Sequence, residues 1–342
     1  MNTILPQPLP NTLMEAIRYF AAPMVAIKFF AGIRWPDGKV VCPHCGHDGA
    51  NFLHKYGRWE CRNRHPRRQF TVKVGTVMED SPIALDKWAV AFWLEVNAKN
   101  SISSYEMHRA LGITQKSAWF LQQRIRLAVQ SGSFQKMSGG VEIDETFIGG
   151  QARFMHKHKK KRVVKGTGGH LSGKAAVMGL LDRHTREVRT VVLDSVKKKA
   201  MHGHVKANVA PGSTLYTDAY ASYVGLSPEY VHNVIDHAEC YVKGEVHTNG
   251  LENFWSLFKR CIKGNHVSVE PFHLFRYLDA ECFRFNNRKQ DDLGRFLLAV
   301  LGLDGKRLTY KQLIGKVGSE GHPTTAAASD SREADGSDAL PN

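Results

Sequence analysis

The stretch Gly139–Gly150, GGVEIDETFIGG, limits what this chain can fold into more than any other. Val141, Ile143 and Phe147 are residues of a buried strand, yet Asp144 stands among them. A carboxylate held in an apolar strand loses its hydration, so it persists where it is paired or used. The chain that follows keeps alternating. AAVMGLLDR and EVRTVVLD read as a hairpin joined by RHT. VKKKAMHGHVKANV reads as a helix, GSTLYTDAY as a short strand ending at Asp218, and EYVHNVID as another strand. HTNGLENFWSLFKRC and PFHLFRYLDAECFRFNNR then read as two helices with apolar sides.

Three antiparallel strands followed by strands with crossover helices is the ribonuclease H-like layout. It is an α/β architecture on a mixed five-stranded sheet. In it, acids on the first strand, at the end of the fourth and on a late helix converge at one sheet edge. Here these are Asp144, Asp218 and Glu252, the last two separated by 33 residues (252 − 218 − 1). Taken singly, Asp218 also reads as a helix cap and Glu252 as half of an exposed ion pair. As a set, three carboxylates suit two Mg²⁺ (or Mn²⁺) ions about 4 Å apart. Lys259 follows Glu252 by seven residues, which returns it to the same helix face roughly 10 Å further along. Leu251, Phe254, Trp255, Leu257, Phe258 and Cys261 form the opposite, apolar stripe.

The net charge of +15 and pI near 9.6 point to a polyanionic partner. Six cysteines, of which Cys42, Cys45 and Cys61 cluster, indicate metal chemistry in a reducing compartment rather than a disulfide frame. The spacing Cys-x2-Cys-x15-Cys-x3-His (Cys42, Cys45, Cys61, His65) predicts a zinc ribbon holding one structural Zn²⁺. His44 and His47 are the alternative fourth ligands. Arg62, Arg64, Arg67 and Arg68 surround this unit, interleaved with Trp59 and Phe70, as suits a phosphate backbone.

SISSYEMHRALGITQKSAWFLQQRIRLAV has the pattern of a helix-turn-helix. Ser103 or Ser104 caps the first helix, Gly112 turns the chain and Thr114 caps the second. The exposed face of the second helix is expected to carry Gln115, Lys116, Gln122, Gln123, Arg124 and Arg126, the residue types that reach base edges and phosphates. The plain alternative is a helical hairpin packed on its neighbours. Residues 151–170 hold Arg153, Lys157, Lys159, Lys160, Lys161, Arg162 and Lys165 and no acid, which predicts a basic insertion gripping nucleic acid. Residues 13–33 are interrupted by Glu15, Arg18 and Lys28, so a pair of short amphipathic helices broken at Pro23 is expected in place of a membrane span. Residues 1–11 hold no basic residue and no long apolar run, so no secretory signal is expected, and a cytoplasmic, nucleoid-associated protein is.

Taken together, RWPDGKVVCPHCG, FTVKVGTVMEDSPIALDKW, VEIDETFIGG, LYTDAYASY, HTNGLENFWSLFKR and FRFNNR resemble bacterial insertion-sequence transposases of the zinc-ribbon DDE type, relatives of the Merlin elements. The resemblance spans about residues 15–303. It implies a metal-binding triad of Asp144, Asp218 and Glu252, with Asn249 or Asn253 as alternatives at the third position, and Lys259 near the terminal phosphate. Where the family usually closes its zinc site with a fourth Cys, this chain has CRNRH. The expected organisation is an N-terminal helical segment (1–38), zinc ribbon (39–80), helix-turn-helix-like region (81–130), linker (131–140), catalytic domain (141–305) and mostly disordered tail (306–342). The implied activity is binding of transposon ends, nicking, and joining of the 3′-hydroxyl to target DNA by a homo-oligomer on DNA. The alternatives are an inactive DNA-binding regulator and a ribonuclease H-like nuclease.

Overall fold

The computed structural model describes residues 5–130, 135–150, 156–163, 173–218, 221–223, 225–226, 229–235 and 248–316. Five strands build the central sheet: β4 (Gly140–Ile148), β5 (Ala175–Asp182), β6 (Val188–Leu193), β7 (Thr214–Asp218) and β8 (Val231–Ile235). Their order is β6-β5-β4-β7-β8. β4, β5 and β6 pair antiparallel, whereas β4–β7 and β7–β8 pair parallel, as the ribonuclease H-like reading requires. Helix α7 (Lys198–Asn208) packs on one face, where Met201 and Val205 meet Val141, Ile143, Met178 and Leu180. Helices α8 (Asn249–Cys261) and α9 (Leu274–Asn286) cover the other, with Leu251, Phe254, Phe258 and Leu278 against Val177, Leu181 and Val188.

The strands explain why an open edge forms. The β4–β7 ladder ends at the pair Glu142↔Tyr216, two residues before both Asp144 and Asp218. Beyond that pair the parallel neighbours stop sharing hydrogen bonds, and the side chains after it face an open fork. Strand ends at such a change of direction are where α/β sheets hold ligands.

A second core lies in the N-terminal half. Helices α1 (Leu13–Phe20) and α2 (Pro23–Arg34) are bent by 104° at Pro23, the expected broken pair, and bury Phe20, Phe29 and Phe30. No single helix among the described residues is long and apolar enough to cross a membrane. The ribbon strands β1 (Ala50–Leu53), β2 (Arg58–Cys61) and β3 (Gln69–Phe70) form a three-stranded antiparallel sheet. QFTVKVGTVM has strand composition, but only Gln69–Phe70 is strand. The chain turns at Gly75, whose φ of +82° favours glycine, and Val72, Val77 and Met78 pack inward.

Helices α3 (Leu85–Asn97), α4 (Ser104–Leu111) and α5 (Gln115–Ala128) follow. Ser103 caps α4 in a capping box with Glu106, Gly112 takes the left-handed turn, and Thr114 caps α5. The structure corrects the expected exposed face of α5. Gln122, Gln123, Arg124 and Arg126 are buried, and Lys116 is the exposed one of the six. Arg126 donates to Glu95 on α3 at 2.8 Å and lies 3.8 Å over Tyr277. Arg124 donates to the carbonyls of Leu308 and Glu79 at 3.1 and 2.8 Å. Polar residues expected to read a groove therefore bond inside the protein, although Arg126 Nη2 is buried without a partner.

Two boundaries also shift. Met137, placed in the linker by sequence, is buried and bridges Val209, so the sheet domain begins before residue 141. Helix α10 (Asp292–Leu301) inserts Phe296, Ala299 and Val300 into the N-terminal core rather than that of the five-stranded sheet. Residues 306–316, expected in the disordered tail, include helix α11 (Tyr310–Leu313), with Tyr310 against Phe120. The tail from 317, residues 131–134 and His247 lie outside the described residues. In the basic insertion, α6 (Lys157–Val163) is described, with Lys157, Lys160 and Lys161 exposed. The side chains of Lys159 and Arg162 lie outside the description.

Candidate metal centres and their cleft

At the fork, the carboxylates of Asp144, Glu145 and Asp218 offer ligand oxygens that all lie within 4.8 Å of one another. Asp144 points toward α8, where the Trp255 indole N–H donates to its Oδ2 at 3.0 Å. The close packing that allows this falls on Gly179, the register partner of Asp144 on β5. A Cβ there would lie 2.6 Å from the Trp255 ring and 2.9 Å from Leu251. Glu145 points to the opposite face, as strand alternation requires, and its carboxylate accepts a hydrogen bond from the Tyr223 hydroxyl. Asp218 ends β7.

Crowded, half-buried carboxylates resist ionising together. Burial first, and then the charge of Asp218, push Asp144 up to about 6, against the opposing hydrogen bonds from the Glu145 backbone and Trp255. Burial and the charges of Asp218 and Asp144 push Glu145 up to about 9. A divalent cation relieves both penalties at once, so the donor set fits hard cations with oxygen ligands. Glu252 is exposed on α8 and lies outside this tight cluster. It faces the same cleft of about 430 Å³, lined by Asp144, Glu145, Thr146, Trp255, Ser256 and Lys259. Glu252, Ser256, Lys259 and Lys263 are all exposed, as the helix periodicity requires, and the buried stripe opposite holds Leu251, Phe254, Trp255, Phe258 and Cys261.

In the ribbon, Cys42, Cys45, Cys61 and His65 bring their ligand atoms within 4.8 Å of one another. The Cys45 and Cys61 sulfurs are 3.7 Å apart, and Cys42 Sγ is 3.5 Å from His65 Nε2. Tetrahedral Zn²⁺ with Zn–S near 2.3 Å and Zn–N near 2.0–2.1 Å needs separations of about 3.8 and 3.6 Å. The four donors thus fit zinc. Gly46, at φ +73°, closes the first knuckle, with its N–H on the Cys42 carbonyl at 2.9 Å.

Residues 136–286 match the family described as ISXO2-like transposase domain, and residues 25–63 match the transposase zinc-ribbon domain. An uncharacterized transposase-like protein of Haemophilus influenzae is 35% identical over 104 residues, covering 30% of this chain and 82% of the relative. The chain belongs to the IS1595-type zinc-ribbon transposases. An uncharacterized protein of transposable element ISH50 from Halobacterium salinarum is 27% identical over 278 residues, 78% of this chain and 92% of the relative.

Within this transposase, the ribbon arginines Arg62, Arg64, Arg67 and Arg68 are exposed. Arg62 is held against Asn51 at 3.0 Å. Arg124 is withdrawn from the surface. Sequence reasoning passed over Glu145, Trp255 and Tyr223. The acidic doublet Asp144-Glu145 was a visible signal for the first, whereas the other two depend on contacts far apart in sequence.

Proposed function

We propose that this transposase cuts and joins DNA by divalent-metal phosphodiester chemistry at the β4–β7 fork. The observation that carries the reading is the convergence of Asp144, Glu145 and Asp218 beside a cleft shared with Glu252 and Lys259. Asp144 and Asp218 would hold the metal, Mg²⁺ or Mn²⁺, with Glu252 closing the site from α8 and Glu145 as the nearer third carboxylate. When bound, a pair of such ions activates the attacking oxygen and neutralises the leaving one. The Trp255 indole on Oδ2 and the Glu145 backbone N–H on Oδ1, at 2.8 Å, fix the orientation of the Asp144 carboxylate. Lys259, about two turns beyond Glu252, faces the DNA phosphates as a point charge. In the first step water breaks the phosphodiester at the transposon end and frees a 3′-hydroxyl. In the second, that hydroxyl attacks a target phosphodiester, and the displaced 3′-oxygen of the target leaves.

The DNA face proposed is the ribbon edge with Arg62, Arg64, Arg67 and Arg68, together with Lys116 and the basic residues Lys157, Lys159, Lys160, Lys161 and Arg162. At the ribbon's hairpin tip Tyr56 is 57% exposed. Its ring is flanked by Lys55 at 5.6 Å and Arg58 at 5.0 Å, an arrangement suited to a base or sugar beside phosphates. The test uses oligonucleotides carrying the terminal repeats that flank the gene. Asp144→Asn and Asp218→Asn should each abolish Mn²⁺-dependent nicking and joining while end binding is kept. Unchanged joining by either variant would sink the assignment.

A further inference from the structure

Glu142 is wholly buried on β4 and lies two residues before Asp144, on the same strand face. Its Oε1 accepts from Arg183 Nε at 3.0 Å, and its Oε2 accepts from the backbone N–H of Leu251 at 3.2 Å. Leu251 is the third residue of α8, the position whose N–H a capping side chain normally takes. Thr248, the N-cap, makes no side-chain cap, and the Leu251 N–H shares itself between Glu142 and the Thr248 carbonyl at 3.0 Å. The helix is therefore capped from a neighbouring strand, by a carboxylate at its positive end. No side chain fits between them: a Cβ on Gly250 would sit 2.7 Å from Glu142 Oε2 and 2.9 Å from Leu181.

The same carboxylate reaches the third acid-bearing element. Arg183, which it docks, stacks 3.6 Å over the ring of Tyr216 on β7, and Tyr216 is the register partner of Glu142. Each anchor thus stands one or two residues from a cleft acid: Glu142 from Asp144, Tyr216 from Asp218, Leu251 from Glu252. We propose that Glu142 is a positioning residue, whose cap on α8 sets where Glu252 and Lys259 stand over Asp144 and so tunes the cleft's affinity for a divalent cation. This rests on the reading of the cleft as a metal site. Outer groups that orient metal ligands typically carry 10- to 100-fold of metal affinity.

The experiment is a titration of the full chain with Mn²⁺, competing against Tb³⁺ whose luminescence is sensitised by Trp255 beside Asp144. Glu142→Gln keeps the volume but removes the charge that Arg183 and the helix end share. Gly250→Ala keeps the Glu142 charge and wedges its carboxylate away from the helix. Both should raise the Mn²⁺ half-saturation at least tenfold while the zinc content of the ribbon stays at the wild-type level. A Glu142→Gln chain that does not fold hands the test to Gly250→Ala. Folded variants with wild-type half-saturation would overturn the positioning role. Asp144→Asn separates the two ideas: if it too leaves Mn²⁺ binding unchanged, the metal cleft itself is misread. If it alone weakens binding, only the Glu142 inference fails.

Discussion

At the scale of single residues, the fork crowds carboxylates that hold their protons tightly. Asp144 is pushed up to about 6 from 3.8, and Glu145 to about 9 from 4.5. The folded chain then holds these protons more tightly than the unfolded one across roughly pH 4 to 9. Stability of the metal-free chain must therefore fall as pH rises through that window. Ligand carboxylates bind a cation only when ionised, so the cation reverses the trend. Saturating Mn²⁺ should raise the thermal midpoint more at pH 8 than at pH 5.5, read by scanning calorimetry. An equal rise at both would contradict the assignment. Gly179→Ala belongs to the same scale. Its Cβ meets the Trp255 ring at 2.6 Å. The overpacking should cost about 1–3 kcal/mol in urea unfolding and free the Asp144 carboxylate from its indole donor. Asp144 stood out in the sequence because an acid among strand residues breaks a pattern, and the doublet made Glu145 visible beside it. That both carboxylates approach Asp218 was not legible, because it depends on the pairing of β4 with β7 across the sheet.

At the scale of elements, α8 and α5 show when periodicity can be trusted. The α8 stripe of Glu252, Ser256, Lys259 and Lys263 is exposed as read, since its partners are solvent and the cleft. On α5 the same logic failed. Gln122, Gln123, Arg124 and Arg126 look like a solvated face, but their partners are non-local: Glu95 on α3, Tyr277 on α9 and the Leu308 carbonyl. Sequence gives the charge of a residue and not the charge that comes to meet it. The consequence is testable. Arg126→Met leaves the wholly buried Glu95 without its cation, and breaking such a pair costs about 3–5 kcal/mol. Urea unfolding should show a loss of that size, with end-DNA affinity unchanged once the variant is folded. A groove-reading Arg126 would give the reverse: little loss of stability and a large loss of binding.

At the scale of the whole molecule, the chain returns to where it began. The ribbon, α1 to α5 and α10 share one continuous core, in which Phe296 lies 5.8 Å from Phe20, 5.6 Å from Phe29 and 5.2 Å from Trp93. Arg34 pairs with Asp304 at 2.9 Å, closing the same loop of chain. The transposase domain is thus inserted between two halves of a single helical frame, which a left-to-right reading of composition divides at residue 305. Phe296 is wholly buried, and replacing such a ring by alanine costs about 3–5 kcal/mol. That loss falls on the frame and not on the sheet, whose cores are built from other residues. Phe296→Ala should therefore lower the unfolding midpoint of the ribbon and helices, followed by release of zinc to a chromogenic chelator, while the Mn²⁺ half-saturation of the still-folded protein stays as in the wild type. If zinc retention and frame stability are unmoved, α10 is a peripheral appendage. If the metal cleft weakens in step with the frame, the two cores unfold as one unit and the frame directly supports the active fork.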